Sequence, residues 1–317
     1  MNFLFLMDPL ETVDVHKDTS FAFMLGAQRR KHRIFYVPSG GVSLCEGQVS
    51  FEAEPVMPRK DATTPFDRGR PQRLDDRDAD VVFIRTDPPF DERYLMNTWL
   101  LDHLCDGAVV INSPHGLRTV NEKLWATRFT DLVPPTLVTS RLDLFKSFLT
   151  EHEKVIAKPT DGHGGVGVFY VECGDTNSQV IFEMLTHHGK KEIIIQPYLP
   201  EAQAGDKRIV LLDGEPLGAV MRVHPTGEHR NNFFAGGKPH PAEIVPHDQK
   251  IIDTLKPHLR SLGLHFVGID VIGPYLIEVN VTSPTCVQEI NHLNHTRIED
   301  RVIAYAEALV EKRRAVA

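Results

Sequence analysis

Cysteine is scarce in this chain: Cys45, Cys105, Cys173 and Cys286 are the four among 317 residues. They show no CxxC spacing, which argues against a disulfide framework or a thiolate zinc site and leaves reduced thiols in a cytoplasmic protein as the simplest reading. None has an activating motif beside it, so a cysteine nucleophile is not expected. An excess of positive charge is also missing. Lys and Arg total 35 against 43 Asp and Glu, a formal net charge of -8 at pH 7, and no block of like charge forms a basic arm, so no nucleic-acid partner is expected. Long apolar runs are lacking too. The stretch FLFLM ends at Asp8-Pro9 with no basic residue before it, far short of a signal segment or membrane span, and reads as a buried first strand. The histidines, including His187-His188 and the His292/His295 pair, lack the carboxylate context of a zinc site and read as surface residues. What remains is a chain long enough for two or three subdomains, with a small molecule as its expected partner.

Short apolar runs alternate with helical patterns over the first 120 residues, which predicts an α/β layer on a parallel sheet. FLFLM, IFYV, VVFIR (81–85) and VVIN (109–112) are the expected strands. FAFMLGAQRR, capped by Ser20, and YLMNTWLLDHL are the expected helices. Open α/β sheets hold ligands at the carboxyl ends of strands, and two such ends carry unusual chemistry: MDP with the following HKDTS, and IRTDPPFD. Arg85, ending an apolar strand, reads equally as a clamp on a substrate carboxylate or as a salt-bridged strand terminus. Residues 52–78, rich in proline and mixed charge, read as a long surface loop. Beyond residue 120 a helix TVNEKLWATRFT carrying Lys123 is expected, then LDLFKSFLTEH, a strand IIIQPYLP, a hairpin DKRIVLLDGEPLGAVMRV and an aperiodic stretch, 224–237, with the makeup of a lid.

Two stretches carry chemistry. VIAKPTDGHGGVGVFYV (155–171) places glycines between two strand-like runs, just after Lys158. Glycine dihedrals let several N–H groups aim at one anion, so the loop suits phosphate; the competing reading is an ordinary glycine-rich turn. A Walker A loop is excluded because the lysine precedes the glycines and no helix follows. The second stretch, HFVGIDVIGPYLIEVNVTSPTC, alternates so that Val267, Ile269, Val271, Ile277, Val279 and Val281 face a core, while Asp270, Glu278 and Asn280 share the opposite face. With Gly273-Pro274-Tyr275 as a three-residue turn, Asp270 falls opposite Glu278, and like charges there repel. Two carboxylates and an amide oxygen suit a hard cation such as Mg²⁺; a solvated polar face is the alternative. Flap, lysines and cation site together point to a nucleotide.

With MDP, KDTSFAFMLGAQRR, RTDPPFD, NEKLWAT, KPTDGHGG, QPYLP, GDKRIVLLDGEP, FVGIDVIG and EVNVTSPTC in this order, nearly the whole chain resembles the bacterial glutathione synthetases of the ATP-grasp superfamily. KPxDGxGG and E-[IV]-N-V-T-S-P-T are the specific motifs. The resemblance implies an ATP-grasp fold: an N-terminal Rossmann-like α/β substrate domain (1–121), a small nucleotide-binding subdomain (122–200) and a C-terminal subdomain with metal site and lid (201–317). It implies that Lys123 and Lys158 contact ATP phosphates, that Gly162, Gly164 and Gly165 form the flap, that Gln196, Tyr198 and Leu199 line the adenine pocket, and that Asp206 lies near the ribose. Asp270, Glu278 and Asn280 would ligate Mg²⁺, with Mn²⁺ as the alternative. Arg208, Arg222 and Arg230 would act on the reacting carboxylate and acyl-phosphate. Asp18 and Arg85, with Arg208 and Arg230, would bind substrate. His163 in the flap and the aromatic pair Phe233-Phe234 in the lid depart from the family pattern.

The implied reaction joins γ-glutamylcysteine to glycine at the expense of ATP, in a cytoplasmic homo-oligomer, a dimer or tetramer, with no nucleic acid or membrane as partner. A D-alanine:D-alanine-type or other amino-acid ligase on the same fold is one rival, and a nucleotide-binding module without catalysis is another.

Overall fold

The computed structural model describes residues 1–105, 107–225, 230–233 and 236–316. Three sheets organise them. The first contains β1 (Asn2–Met7), β2 (Arg33–Pro38), β3 (Val42–Cys45), β4 (Gln48–Pro58), β5 (Phe66–Arg68), β6 (Gln72–Asp75), β7 (Val81–Arg85) and β8 (Val109–Ile111), in the order β3-β4-β2-β1-β7-β8, with β5 and β6 also paired to β4. Its centre is parallel, β1 lying between β2 and β7, and β7 beside β8. A parallel strand covered on both faces must be apolar throughout, and Phe3, Leu4, Phe5 and Leu6 are all fully buried. Phe3 and Phe5 pack toward α1 (Thr19–Arg29), Leu4 and Leu6 toward α2 (Glu92–Leu101) and α3 (Pro114–Thr119). The chain leaves β1 toward β2 and leaves β7 toward β8, in opposite directions, so Asp8 and residues 86–87 flank the crevice where α/β sheets bind ligands.

Three expectations fail in this layer. Asp18, not Ser20, caps α1, its carboxylate accepting from Phe21 N at 2.6 Å. Residues 52–78 are not a loop: they hold most of β4 with β5 and β6, antiparallel edge strands whose prolines and charges suit an edge and mask the strand pattern. Lys123 is not on a helix either. α3 ends at Thr119, and Lys123 lies in the turn before a short 3-10 segment, Trp125–Arg128, with Asn121 Oδ1 accepting from its backbone N–H.

The second sheet has the order β11-β10-β12-β9, with β9 (Leu137–Thr139), β10 (Lys154–Pro159), β11 (Phe169–Glu172) and β12 (Ile193–Pro197). α4 (Leu142–His152) and α5 (Ser178–Leu185) cover one face, where Phe145 and Phe182 pack on Val155, Ala157, Val171, Ile193 and Ile195. β10 and β11 pair antiparallel up to Ala157 opposite Phe169, so the glycine stretch is the loop of a hairpin.

The third sheet, β15-β14-β13-β16-β17, comprises β13 (Asp206–Leu212), β14 (Glu215–Val223), β15 (Lys238–Pro241), β16 (Phe266–Ile272) and β17 (Tyr275–Asn280). Ile251, Ile252, Leu255 and Leu259 of α6 (Pro246–Ser261) cover the face bearing Ile209, Val267, Ile269 and Val271. Part of the other face is covered by α7 (Val287–Asn294) and α8 (Ile298–Val316), which continue onto the first sheet. There Arg29 of α1 pairs with Glu299 and Asp300 at 2.5 Å each. Asn112, just after β8, donates to the carbonyls of Phe266 and Val281 and accepts from Phe266 N, stitching the first sheet to the third.

The β16–β17 hairpin reaches the predicted pairing of Asp270 with Glu278, but not through the expected three-residue turn. Ile272 pairs with Tyr275 and Val271 with Leu276, leaving a two-residue turn, and a bulge then restores Asp270 opposite Glu278. The extra residue re-aims the strand, so Leu276 is buried in the core and Ile277 lines the cavity described next, the reverse of the expected Ile277.

Candidate active site

The open face of the third sheet carries a row of charges set by strand register. Asp206 lies opposite Arg222, Arg208 opposite Asp270, and Asp270 opposite Glu278. Period-two alternation keeps Asp206 and Arg208 on one face, so the row crosses four strands on that side. Arg222 donates from Nε and Nη2 to the two oxygens of Asp206, 2.7 Å each, and Nη2 lies 3.0 Å from Asp270. Arg208 grips Asp270 through two parallel hydrogen bonds, Nη2 to Oδ2 measuring 2.8 Å. Burial alone would raise the Asp270 carboxyl, but Arg208 and Arg222 outweigh it and hold the group well below the usual carboxylate range. Glu278 meets Lys123, whose Nζ is 2.7 Å from Oε1 and also donates to the carbonyl of Gly162. Burial works against the Lys123 cation, yet Glu278 keeps it above its ordinary value. The repulsion expected between Asp270 and Glu278 is thus relieved by cations of the chain itself.

Lys158 is different. It projects from β10 into the same space, is 7% exposed, and its ammonium has no hydrogen bond or ion pair among the described residues. Burial pulls its ammonium down to about 8. A desolvated, unpaired cation is costly unless an anion arrives to meet it.

The flap closes over this row. Gly164 and Gly165 take positive φ, 60° and 76°, which only glycine adopts readily. A Cβ on Gly165 would lie 2.4 Å from Asn232 Nδ2, and Gly165 O accepts from Arg230 Nη1 at 3.3 Å, so flap and lid segment touch. Residues 226–229 and 234–235 of the expected lid, including Phe234, lie outside the described residues. At the flap's base Lys191 pairs with Asp161 at 2.5 Å.

A cavity of about 680 Å³ opens between the three sheets. Both lysines, the three flap glycines and Gln196, Tyr198, Leu199 and Asp206 line it, as do Arg208, Arg222, Arg230, Asp270, Glu278 and Asn280. Gln196 is held by a hydrogen bond to Thr136 Oγ1, 2.9 Å. Asp18 and Arg85 are not brought into the wall. Asp18 is the helix cap, and Arg85 is buried beneath the floor, donating to Ser20 Oγ (3.0 Å) and to the carbonyl of Pro284 (2.9 Å). Arg85 therefore ties β7 to the loop after β17, and among the described residues it forms no ion pair, so the salt-bridged terminus is not found there.

Sequence reasoning missed Glu122. Its carboxylate accepts from Val281 N (2.7 Å), Thr282 N (2.9 Å) and Thr282 Oγ1 (2.9 Å), and its carbonyl accepts from Val279 N at 2.8 Å. Glu122 thus grips β17 on both sides of Asn280 while the adjacent Lys123 holds Glu278. Only its place beside Lys123 in NEK could have flagged it.

The donors offered to a cation, two carboxylates and the Asn280 amide, are all oxygen, the set a hard divalent ion takes. Asn280 Nδ2 donates to the carbonyl of Gly268 at 3.3 Å and to Asp270 Oδ2 at 3.5 Å, which places the amide beside the carboxylate. Among the described residues no trio of His, Cys, Asp or Glu is placed to hold a metal.

Residues 1–118 match the family model described as prokaryotic glutathione synthetase, N-terminal domain, and residues 122–295 the one described as prokaryotic glutathione synthetase, ATP-grasp domain. A glutathione synthetase from Pseudomonas aeruginosa is 41% identical over 300 residues, covering 94% of this chain and 95% of that protein. One from Synechocystis is 39% identical over 317 residues, covering 97% and 99%. Among solved structures, a D-cycloserine synthetase aligns with a TM-score of 0.65 at 15% identity, over 98% of this chain and 99% of that one. The D-alanine–D-alanine ligase of Bacillus anthracis complexed with ATP aligns with a TM-score of 0.61 at 14% identity, over the whole of both chains. At such identities these two speak for the fold alone.

Proposed function

The chain belongs to the prokaryotic glutathione synthetase family, and from that premise we propose how its own residues divide the work. It is an ATP-dependent ligase of ATP-grasp fold that joins γ-glutamylcysteine to glycine, and it uses ATP with a divalent cation. We assign Mg²⁺, with Mn²⁺ as a substitute, to Asp270, Glu278 and Asn280 on the strength of their all-oxygen chemistry. Bound there, the cation would offset charge on the ATP phosphates.

An oxygen of the cysteinyl carboxylate attacks the γ-phosphorus, the bond to the bridging oxygen breaks, and ADP leaves. The neutral amine of glycine then attacks the acyl carbon, the bond to phosphate breaks, and the tripeptide forms as the ammonium proton is lost. Lys158 and Lys123 reach the transferring phosphoryl from the flap side, and Arg208, Arg222 and Arg230 take charge from the carboxylate side. One well-placed cation of this kind is worth roughly 10³-fold in rate. Gly162, Gly164 and Gly165, the last of which accepts from Arg230, exclude water that would hydrolyse the acyl-phosphate. Gln196, Tyr198 and Leu199 hold the adenine, and Asp206 the ribose side. The observation that carries this reading is Lys158, a desolvated cation facing a row of otherwise paired charges.

We divide the chain at 121/122 and 200/201, in keeping with its three sheets. A cytoplasmic location is our reading of four cysteines that are all free, and a homo-oligomer, dimer or tetramer, that of Met96 and Trp99, 47% and 48% exposed on α2. Among the described residues no helix is long and apolar enough to cross a membrane. ADP release should require γ-glutamylcysteine and glycine together, and D-alanine should not replace glycine. Release with D-alanine pairs but not with the dipeptide would move the assignment to the rival ligases.

A further inference from the structure

Gln196 occupies the cavity wall that the second sheet provides. Ile193 and Ile195 of β12 face α4 and α5, so period-two alternation turns Gln196 to the opposite, cavity face. There it lies across from Ile156 of β10, two residues along the same face from Lys158, with Pro134, Tyr198 and Leu199 also on the wall. A glutamine amide offers a donor at one end and an acceptor at the other, so its orientation decides what it recognises. The structure fixes that orientation through Thr136. Thr136 Oγ1 donates to the carbonyl of Pro134 at 2.8 Å. A carbonyl only accepts, so the single hydroxyl proton is committed there. The hydroxyl oxygen lies 2.9 Å from the Gln196 amide and can only accept from it, which sets Nε2 against Thr136. Gln196 Oε1 then has no partner among the described residues and is left to the cavity. Turning the amide over would set two oxygens face to face, or strip the buried Pro134 carbonyl of its donor.

An acceptor held in a mainly apolar slot suits a flat base with a donor on its edge. Adenine carries an exocyclic amine there, whereas hypoxanthine and guanine carry an oxygen at the same ring position, and that oxygen would meet the oxygen of Gln196. Rejection of this kind is strong because a buried polar group is left unpaired. We propose that Thr136 is a positioning residue for base selection: by locking the Gln196 amide oxygen toward the cavity, it makes this ligase take adenine nucleotides and refuse those with an oxygen in place of the amine. The inference rests on the ATP-dependent ligase reading above.

The test measures kcat/KM for ATP, inosine triphosphate and purine riboside triphosphate with saturating γ-glutamylcysteine and glycine. Wild-type protein should prefer ATP to inosine triphosphate by roughly 10²-fold or more, with purine riboside triphosphate between them, since it loses the donor without bringing the opposing oxygen. In Thr136→Val the amide can turn over, so that preference should shrink by roughly tenfold, chiefly through a lower KM for inosine triphosphate, with kcat for ATP held within about twofold. Thr136→Ser keeps the hydroxyl and should keep the preference. A Thr136→Val protein whose KM rises by one common factor for all three nucleotides, or whose preference is that of wild type, would overturn the assignment. So would wild-type protein that uses inosine triphosphate as well as ATP. Wild-type protein that releases no ADP from ATP with γ-glutamylcysteine and glycine would instead overturn the ligase reading beneath it.

Discussion

The two walls of the cavity treat charge in opposite ways. On the five-stranded sheet each charge of the row facing the cavity has a protein partner: Asp206 with Arg222, Asp270 with Arg208 and Arg222, Glu278 with Lys123. On the flap sheet Lys158 is buried with none among the described residues. The first wall is stable as it stands, its ions pre-positioned by cross-strand register. The second stores unfavourable desolvation that an incoming phosphate relieves. Stability and function therefore coincide on one wall and conflict on the other.

Breaking the paired wall should have the largest effect. Asp270→Asn leaves Arg208 and Arg222 facing a neutral amide, so we expect a loss of about 3–5 kcal/mol in denaturant unfolding and of roughly 10³-fold or more in kcat, measured by ADP release. Lys158→Met should cost a similar factor in rate, yet stabilise the fold. A shift from 10.5 to about 8 in so buried a group corresponds to roughly 3 kcal/mol of destabilisation at neutral pH. Urea unfolding of the two variants side by side should move in opposite directions.

The same lysine sets a pH dependence. Its folded value lies below the unfolded one, so the unfolded chain binds more protons between pH 8 and 10.5. The Lys158 contribution is thus destabilising below about pH 8 and is relieved as pH rises. Function runs the other way, since the cation is what phosphate needs: kcat/KM for ATP should fall as pH rises past about 8, and that limb should vanish in Lys158→Met. The smallest effect is expected at Glu122, a positioning residue. Glu122→Gln should raise the Mg²⁺ concentration for half activity by roughly 10-fold with kcat at saturating Mg²⁺ reduced far less, whereas a merely structural role would lower both together.

How much of this was legible in the sequence follows the range of the interactions. The flap hairpin, α4 and the facing of Asp270 and Glu278 depend on local alternation and glycine placement, and they read out directly. The bulge that swaps Leu276 for Ile277 depends on how a two-residue turn joins twisted strands, which alternation alone does not encode. The edge strands between Val42 and Asp75 were hidden because edges favour the prolines and charges that otherwise signal loops. Arg85 and Glu122 were misread or missed because their partners, Pro284 and Thr282, lie 199 and 160 residues away. Site residue types were visible; the ion-pair partners that tune them were not.

The central claim is that the cysteinyl carboxylate is phosphorylated in this cavity, and an oxygen label tests it most directly. With γ-glutamylcysteine labelled by ¹⁸O in the cysteinyl carboxylate, one labelled oxygen should appear in the inorganic phosphate for every tripeptide formed. Tripeptide formation with unlabelled phosphate would contradict the account.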